Sequence, residues 1–438
     1  MPRLRPLFSR SLVLPIALMV LTACSTSGSI SLGRSTTSTP AAGDGVCPAR
    51  THRAHLQGPG LTPQQLRAAY GVDSLIAQGI TGKGQTIVDV VSYGSPTLQS
   101  DMDAFDTKFG LPAIKLQIMA PLGTVPFNPA DSEMDGWAGE TTLDVQIIHA
   151  IAPDANIVVL TSPVDETEGT IGLPQFLKLE QYAVDHKLGY IFSQSWSASE
   201  PTLKGTAGRA EVKAFADFYQ TITGQGYTIL SASGDNGATD VISCQPGSSG
   251  VSSTRAVGFP ANVPWVTAVG GTTLDINGGS IAESAWNGSG GGASTFFAAP
   301  PAQQALPSAV QSLLGGKRGI PDVAADADPA TGMQFIINGG TDAAGGTSAS
   351  TPLWAGIIAL ADQKAGHPLG DVNPALYKLG LSSAAASDFR DITAGNNDAN
   401  AQGTPVQGFP AVPGWDPVTG LGAPLANHLV PDLAAATK

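Results

Sequence analysis

Apolar runs of strand length alternate with longer helical stretches through the middle of this sequence. The runs are nearly continuous in Val, Ile, Leu and Ala, which is typical of strands buried on both faces of a parallel sheet. The sequence therefore predicts an α/β fold with a doubly wound, mainly parallel sheet, whose ligands bind beyond the carboxyl ends of the strands. The predicted strands cover residues 85–92, 155–161, 189–195, 227–233 and 265–270, and the predicted helices cover residues 98–109, 139–151, 173–186 and 208–224.

Composition narrows the possible partners. Of the 438 residues, 42% are hydrophobic and 13% are charged, so the chain can bury the core of one large domain or of two ordinary ones. The formal net charge of -13 argues against binding nucleic acid and against docking on anionic membrane surfaces. We expect a monomer.

Residues 1–23 are typical of an export signal. Arg3, Arg5 and Arg10 precede an apolar segment that is too short to span a bilayer comfortably. The small residues before Cys24 resemble a bacterial lipoprotein cleavage box, which would leave a lipid anchor on Cys24 as the chain's link to the cell envelope. The alternative is an ordinary signal peptide with an incidental cysteine, and then the protein is secreted.

Residues 24–54 are rich in Ser, Thr, Gly and Ala, and they predict a flexible tether to a single domain at residues 55–438. The two remaining cysteines are Cys47, at the end of the tether, and Cys244. In an exported protein they can form a disulfide, which we favour, and two free thiols are the alternative.

A glycine-rich segment, residues 345–350, leads into an apolar helix whose first turn contains Pro352. Ser348 therefore lies at a helix N-terminus, where free N–H groups and the helix dipole favour developing negative charge. This makes Ser348 a candidate nucleophile. The alternative is a capped core helix without catalytic function, and the partners of the serine must decide between the two.

Two carboxylates lie on the apolar face of another predicted helix. Glu140 and Asp144 are four residues apart, and Ile147, Ile148 and Ile151 continue the same face. We expect the two carboxyl groups to be partly desolvated neighbours that share a proton, with their pKa values pushed apart. Surface carboxylates at a helix N-terminus are the alternative, which accounts for Glu140 better than for Asp144.

Two further aspartates occupy informative positions. Asp235 follows a predicted strand, at the edge of the sheet where ligands bind, and an ordinary turn aspartate is its alternative. Asp89 lies inside an apolar strand, where an unpaired charge is costly, so we expect it to have a partner. None of the six histidines follows the carboxyl end of a predicted strand, so a Ser-His-Asp triad lacks its middle member.

Near the C-terminus, Asp391 and Asp416 lie on glycine-containing loops. Carboxylates with free carbonyls nearby suit a hard, oxygen-seeking cation, although Asp-rich turns without a metal are common. Spacing alone leaves both interpretations open.

Taken together, seven segments resemble the sedolisin family, the serine-carboxyl peptidases with a subtilisin-like fold. The segments occur in the family's order, and with weaker similarity around them the resemblance extends over most of the chain after the tether. The segments are residues 139–144 (GETTLD), 231–235 (SASGD), 259–274 (FPANVPWVTAVGGTTL), 318–329 (RGIPDVAADADP), 345–350 (GGTSAS), 391–393 (DIT) and 414–424 (GWDPVTGLGAP).

The resemblance implies a role for each matching residue. Ser348 would be the nucleophile, Glu140 the general base, Asp144 the carboxylate that holds Glu140, and Asp235 the oxyanion-hole residue. The resemblance also implies a bound calcium ion, held by the side chains of Asp391 and Asp416 and by the backbone carbonyls of Ile392, Val412 and Gly414.

These roles predict a peptidase that acts on proteins or peptides in acid, with internal cleavage expected. A carboxylate base stays ionised where imidazole is protonated, and Asp235 can donate to an oxyanion only when protonated. The alternative is a lipid-anchored protein of the same fold that binds peptides without cleaving them. An esterase is disfavoured because Ser350 stands where a Gly-x-Ser-x-Gly elbow needs its second glycine.

Three features depart from the family pattern. Asp89 stands where many members carry Glu in a relay to the paired carboxylates, and we expect it to contact Asp144, with Trp196 nearby. Val412 replaces a common Gly in the calcium loop. The tether occupies the place of a long prodomain, so we expect either that the protein folds and stays latent without one or that its latency comes from pH alone. The edge at residues 193–196 and the loop at residues 288–292 are expected to border the substrate groove, and a flexible solvent loop is the alternative for the latter.

Overall fold

The structure, a computed structural model, describes residues 60–165, 172–245, 248–401 and 403–437. The expected signal peptide, the tether, Cys24 and Cys47 lie outside the described residues, as does the side chain of Cys244. The expected disulfide therefore stays a prediction.

A mainly parallel sheet forms the centre of the fold, in the strand order β11-β10-β6-β4-β1-β3-β2, with β14 also paired to β10. Every pair in this sheet is parallel except β10–β11. The strands are β1 (Thr86–Ser92), β2 (Lys115–Met119), β3 (Asn156–Ser162), β4 (Ile191–Gln194), β5 (Ala198–Ser199), β6 (Thr228–Ala232), β7 (Val241–Gln245), β8 (Ser248–Val251), β9 (Gly258–Phe259), β10 (Thr267–Asn277), β11 (Ser280–Ala285), β12 (Gly292–Ala298), β13 (Lys317–Ile320), β14 (Val323–Asp326), β15 (Met333–Ile337), β16 (Gly340–Ala344), β17 (Phe389–Arg390), β18 (Ala399–Ala401), β19 (Thr404–Val406) and β20 (Ala423–Pro424).

Helices cover the sheet, which confirms the predicted α/β architecture. The five predicted strands and four predicted helices all occur, and helix 98–109 has the predicted bounds. The helices are α1 (Pro63–Ala69), α2 (Val72–Ala77), α3 (Leu98–Phe109), α4 (Ser132–Ile151), α5 (Leu173–Asp185), α6 (Thr206–Thr223), α7 (Pro301–Gln304), α8 (Ser308–Leu314), α9 (Thr347–Ala365), α10 (Asn373–Gly380), α11 (Ala385–Asp388) and α12 (Ala426–Ala436).

Two elements are longer than predicted. Helix α4 begins at Ser132 rather than near Gly139, because Asp131 caps it by accepting the backbone N–H of Glu133 at 3.0 Å. The first turns of α4 are polar and lack apolar residues at helical spacing, so the hydrophobic pattern of the sequence did not predict them. Strand β10 continues to Asn277 because its second half pairs with β11 in a hairpin.

Helix α9 is the buried axis of the fold. It packs on α4, on α12 and on the central strands β4, β6 and β10. Gly356 lets α9 cross α4 closely, since a Cβ there would lie 2.7 Å from Cγ2 of Ile151. The close crossing holds the helix that begins at Thr347 against the helix that carries Glu140 and Asp144.

A buried ion pair supports the strands next to α9. Both terminal nitrogens of Arg318 donate to the carboxylate of Asp322, and both side chains are fully buried. The Tyr377 hydroxyl donates to the same carboxylate at 2.7 Å, and the backbone N–H of Ala268 in β10 donates at 2.8 Å. The pair therefore joins the central sheet to α10.

Asp322→Ala is expected to lower the free energy of unfolding by about 3–5 kcal/mol, because it leaves the Arg318 guanidinium buried and uncompensated. Urea denaturation followed by circular dichroism measures the change. The matched control is Lys213→Ala, which breaks the exposed Lys213–Asp217 pair and should cost at most about 0.5 kcal/mol. Equal effects of the two substitutions would contradict the assignment.

Candidate active site

Ser348 lies in the first turn of α9 and is 1% exposed. Its Oγ makes no hydrogen bond to any part of the chain that the structure describes. Gly346 precedes the helix with a φ of +111°, and a Cβ at this position would lie 2.7 Å from Oδ2 of Asp235. Glycine is therefore required both by the backbone conformation and by the close approach of Asp235 to the helix start.

Asp235 joins the carboxyl end of β6 to the start of α9. Its Oδ1 accepts the backbone N–H of Thr347 at 2.7 Å and the Thr347 hydroxyl at 2.8 Å. The Thr347 hydroxyl in turn accepts the backbone N–H of Gly234 at 3.1 Å. These bonds hold the Asp235 carboxyl next to the residue that precedes Ser348, at the positive end of the helix dipole.

Three carboxyl groups are buried together on the other side of Ser348. Glu140 and Asp144 lie on α4 with 3% and 0% exposure, and Asp89 of β1 is 0% exposed. Burial raises the pKa of Asp144 well above its usual range, and Asp89 and Glu140 raise it further by charge repulsion. Burial and the charge of Glu140 likewise raise the pKa of Asp89. The carboxylates are not surface groups, and Asp89 lies beside Asp144 as expected.

Ser195, just after β4, links this cluster to α9. Its Oγ lies 3.0 Å from Oδ1 of Asp144 and 3.3 Å from the backbone oxygen of Ser348. Sequence reasoning named Ser195 only as part of a groove edge and assigned Thr347 no role. The position of Ser195 directly after a buried strand, at the edge where ligands bind, was the one available signal.

Asp240 is a further buried carboxyl group near Asp235. It is 2% exposed, and its Oδ1 accepts the backbone N–H of Val241 at 2.8 Å. Burial raises the pKa of Asp240 to about 7, and the charge of Asp235 contributes to the rise, while hydrogen bonds from Val241, Ser199 and Asn236 oppose it. The sequence offered no signal for this residue beyond its place in the loop after β6.

Three of the four histidines that the structure describes have ring contacts to groups other than Ser348. His149 lies 3.0 Å from Asp106 and 2.9 Å from the Pro112 carbonyl oxygen. His186 contacts the Tyr182 carbonyl and His367 contacts the Pro368 carbonyl, each at 2.9 Å. The expectation that these residues provide no base for Ser348 agrees with these contacts.

The loop at residues 288–292 is packed rather than flexible. Ser289 is fully buried, and its Oγ accepts the backbone N–H of Gly271 at 2.9 Å and donates to the Val418 carbonyl at 2.7 Å. The backbone N–H of Gly290 donates to the Gly234 carbonyl at 2.8 Å, directly before Asp235. The flexible alternative is therefore wrong, and the loop supports the Asp235 turn from behind.

The C-terminal loops bring Asp391 and Asp416 to one segment. Asp391 accepts the backbone N–H of Gly414 with both carboxylate oxygens, at 3.0 and 3.2 Å. Asp416 accepts the N–H groups of Val412, Val418 and Thr419 at 2.9–3.0 Å. Oδ1 of Asp416 accepts two of these N–H groups, whereas its Oδ2 and each oxygen of Asp391 accept one, so both carboxylates keep an oxygen with a lone pair that suits a hard cation.

Burial also raises the pKa of one of these two aspartates, Asp416. Asp416 is 1% exposed, and burial raises its pKa to about 6 against the effect of its backbone hydrogen bonds, as expected for a carboxylate that lacks a positive partner. Ile392 is buried, while Val412 and Gly414 are exposed. Within the described ranges no group of three or more His, Cys, Asp or Glu side chains is placed to hold a metal ion. A cation here would need backbone carbonyls in addition to the two aspartates.

The fold and the site agree with comparisons to known proteins. The model of the subtilase family matches residues 130–404. Kumamolisin from Bacillus sp. (strain MN-32) is 34% identical over 378 residues, which cover 84% of this chain and 63% of that protein. Tripeptidyl-peptidase 1 of Dictyostelium discoideum is 30% identical over 390 residues, covering 85% of this chain and 58% of its own length. The chain thus spans less than two thirds of these curated relatives.

A solved structure extends the similarity to three dimensions. Pseudomonas sedolisin, described as a serine-carboxyl proteinase and complexed with two molecules of pseudo-iodotyrostatin, superposes with a TM-score of 0.69 at 26% identity. The match covers 85% of this chain and 98% of that one.

Asp240→Asn is expected to raise the free energy of unfolding at about pH 8 by on the order of 3 kcal/mol and to leave it unchanged near pH 4. The folded-state pKa of about 7 lies above the unfolded value, so the stability present in acid is lost as pH rises through 7. Urea denaturation from about pH 4 to about pH 8 measures the difference. The control Asp275→Asn changes an exposed carboxylate and should alter neither value. A wild-type curve parallel to that of Asp240→Asn would contradict the prediction.

Proposed function

Because this chain belongs to the sedolisin family of the subtilases, we propose that it is an acid-acting serine-carboxyl peptidase that cleaves peptide bonds inside protein chains. The observation that carries the proposal is the junction at the start of α9. There Ser348 is connected to Asp144 through Ser195, and to Asp235 through Thr347. The same helix start thus combines a nucleophile, paired carboxyl groups and an oxyanion site.

Acyl transfer follows from these positions. Ser348 Oγ attacks the substrate carbonyl carbon while Glu140 takes the hydroxyl proton. The carbonyl oxygen becomes an oxyanion and accepts a hydrogen bond from protonated Asp235. Glu140 then gives its proton to the leaving amine as the C–N bond breaks. Water, activated by Glu140, releases the acyl group and restores Ser348.

The carboxyl cluster suits this chemistry to acid. With Asp89, Glu140 and Asp144 close together, the cluster holds protons that separated carboxyl groups would have lost. Glu140 can then act as the base while Asp144 or Asp89 keeps a proton. Asp235 donates to the oxyanion only while it is protonated, so activity should fall as it ionises.

We assign Asp89 to the same network, in contact with Asp144. Asp89 lies in β1, where its register partners are Val159 of β3 and Ser193 of β4. This pairing fixes the position of Asp89 in the strand that packs against α4. Its side chain is one methylene shorter than the Glu expected in the family. The fully buried Trp196 follows Ser195, and its ring packs against Phe176 and Phe215.

We further propose that calcium binds the loops at Asp391 and Asp416, with carbonyl oxygens of Ile392, Val412 and Gly414 as additional ligands. The donor set and the burial of Asp416 support the proposal. A bound cation would neutralise the two carboxylates and hold the loop at residues 412–416 to the segment after β17. Its contribution would be to stability rather than to the proton transfers at Ser348.

Cell-envelope location stays a sequence prediction that rests on residues 1–24. No helix in the described ranges has the length and apolar character to cross a membrane. The comparisons lend no support to the alternative of a non-catalytic binding protein.

Wild-type protein should digest an unfolded protein substrate at about pH 4, with activity falling as pH approaches 7 because Asp235 loses its proton. Ser348→Ala should lower the rate by at least about a thousandfold, since the nucleophile is removed. Mass spectrometry of the fragments measures the rate and separates internal cleavage from release of tripeptides.

Ser350→Ala is the matched control, because its hydroxyl lies two residues further along α9 and bonds the Gly270 carbonyl at 2.8 Å. It should keep most of the activity. Equal residual cleavage by wild type and Ser348→Ala, or an optimum near pH 8, would reject the mechanism.

Millimolar calcium should raise the melting temperature of the wild-type protein, and chelation should reverse the rise, since a ligand that binds only the folded state stabilises it. Asp391→Ala should abolish the calcium-dependent rise. Asp398→Ala alters another exposed aspartate on the neighbouring loop and should retain the full rise. Differential scanning calorimetry gives both values, and an identical response of the two variants would place the ion elsewhere.

A further inference from the structure

The backbone carbonyl of Ser348 lacks its ordinary helical partner. In an α-helix this oxygen accepts the N–H of the residue four positions later, which here is Pro352. Proline has no N–H, and its ring also pushes the preceding turn's carbonyl outward. A buried carbonyl without a donor is costly, so a donor from outside the helix is required.

The Ser195 hydroxyl is placed to be that donor, but it has a second acceptor. It lies 3.3 Å from the Ser348 oxygen and 3.0 Å from Oδ1 of Asp144, and it is 1% exposed. A hydroxyl carries a single proton, so it can donate fully to only one of the two oxygens at a time. Which oxygen receives the proton depends on the charge of Asp144.

We propose that Ser195 is a positioning residue whose hydroxyl proton alternates between Asp144 and the Ser348 carbonyl, and so couples the protonation of the carboxyl pair to the backbone of the nucleophile. When Asp144 is ionised, Ser195 donates to Oδ1. When Oδ1 carries a proton, that proton is donated to Ser195 Oγ, and the Ser195 proton turns to the Ser348 carbonyl. No covalent bond between heavy atoms changes in the switch.

The alternation of the Ser195 proton agrees with which carboxyl group is protonated at each step of the proposed reaction, on which this inference rests. Before attack, Glu140 is the ionised member of the pair and Asp144 holds the proton, so the Ser348 carbonyl is satisfied. After Glu140 has taken the Ser348 proton, Asp144 can pass its own proton to Asp89, and Ser195 then turns towards the ionised Asp144. The nucleophile's own backbone therefore has its hydrogen bond in the state that precedes attack.

Two carboxyl groups face Asp144, Asp89 from β1 and Glu140 from its own helix. Burial raises the pKa of Asp144 most, the charges of Asp89 and Glu140 and the hydrogen bond to Asp89 raise it further, and the Ser195 hydrogen bond lowers it. Helix α9 carries no charged side chain before Asp362, and the 191–195 segment carries none. Ser195 is therefore the neutral donor through which a change at Asp144 reaches α9.

Ser195→Ala removes the donor to ionised Asp144, so the pKa of Asp144 should rise by about one unit. Carboxyl ¹³C NMR of Asp-labelled protein measures it, with the Asp144 signal assigned by its loss in Asp144→Asn. The kcat/KM profile should change shape rather than fall equally at every pH, because Asp144 then keeps its proton over a wider pH range. Ser195→Thr keeps a hydroxyl and should restore both the pKa and the profile. Ser195→Cys, a weak donor of similar size, should show a rise if the alanine variant does not fold.

A second variant separates the two acceptors. Pro352→Ala supplies an N–H to the Ser348 carbonyl, so in the Ser195→Ala background it should recover part of kcat without restoring the wild-type pKa of Asp144. The control Ser231→Ala removes an equally buried hydroxyl from β6, on the sheet face shared with its register partner Gln194. It should change neither the pKa of Asp144 nor the profile.

An unchanged pKa of Asp144 in Ser195→Ala, together with a loss of rate that is equal at every pH, would overturn the assignment. Failure of the proposed function looks different, since the wild type would then cleave nothing at any pH. In that case the NMR titration alone decides whether Ser195 is coupled to Asp144.

Discussion

Three carboxyl groups that share one buried space cannot all be ionised at once, and the candidate site depends on that constraint. Asp89, Glu140 and Asp144 come from a strand and a helix that pack on each other, and all three residues are buried. Desolvation and Coulomb repulsion both favour the protonated forms of these groups, so the cluster retains protons at a pH where isolated carboxyl groups have lost them. A serine next to such a cluster has a base that operates in acid, where a histidine would be charged and unable to accept a proton.

The start of α9 is held in place by hydrogen bonds from two sides. Thr347 is tied to Asp235 at the end of β6, and Ser348 is tied through Ser195 to the end of β4. Neighbouring parallel strands end at one edge of the sheet, so two strand ends can contact a single helix start. The Pro352 ring leaves one carbonyl in this turn available for such a contact.

Two buried carboxyl groups outside the proposed reacting set also have raised pKa values. Asp362, near the C-terminal end of α9, is buried and its pKa is raised to about 7 by desolvation, as is that of Asp240 beside the oxyanion site. Each folded-state value lies above the unfolded one, so each contribution to stability is complete in acid and is lost as the pH approaches 7. These two carboxyl groups thus stabilise the fold most in acid, where the proposed chemistry operates.

Periodicity and residue chemistry alone determined the alternating strands and helices, the shared face of Glu140 and Asp144, and the place of Ser348 at a helix start, because these depend on residues close together in the sequence. The resemblance in seven ordered segments added a role for each of them. Tertiary structure alone decided that Ser195 contacts both Asp144 and Ser348, that Thr347 holds Asp235, and that the loop at residues 288–292 is buried. The contacts of Ser195 and Thr347 join residues 51 to 153 positions apart, and no local pattern encodes the packing that brings such residues together.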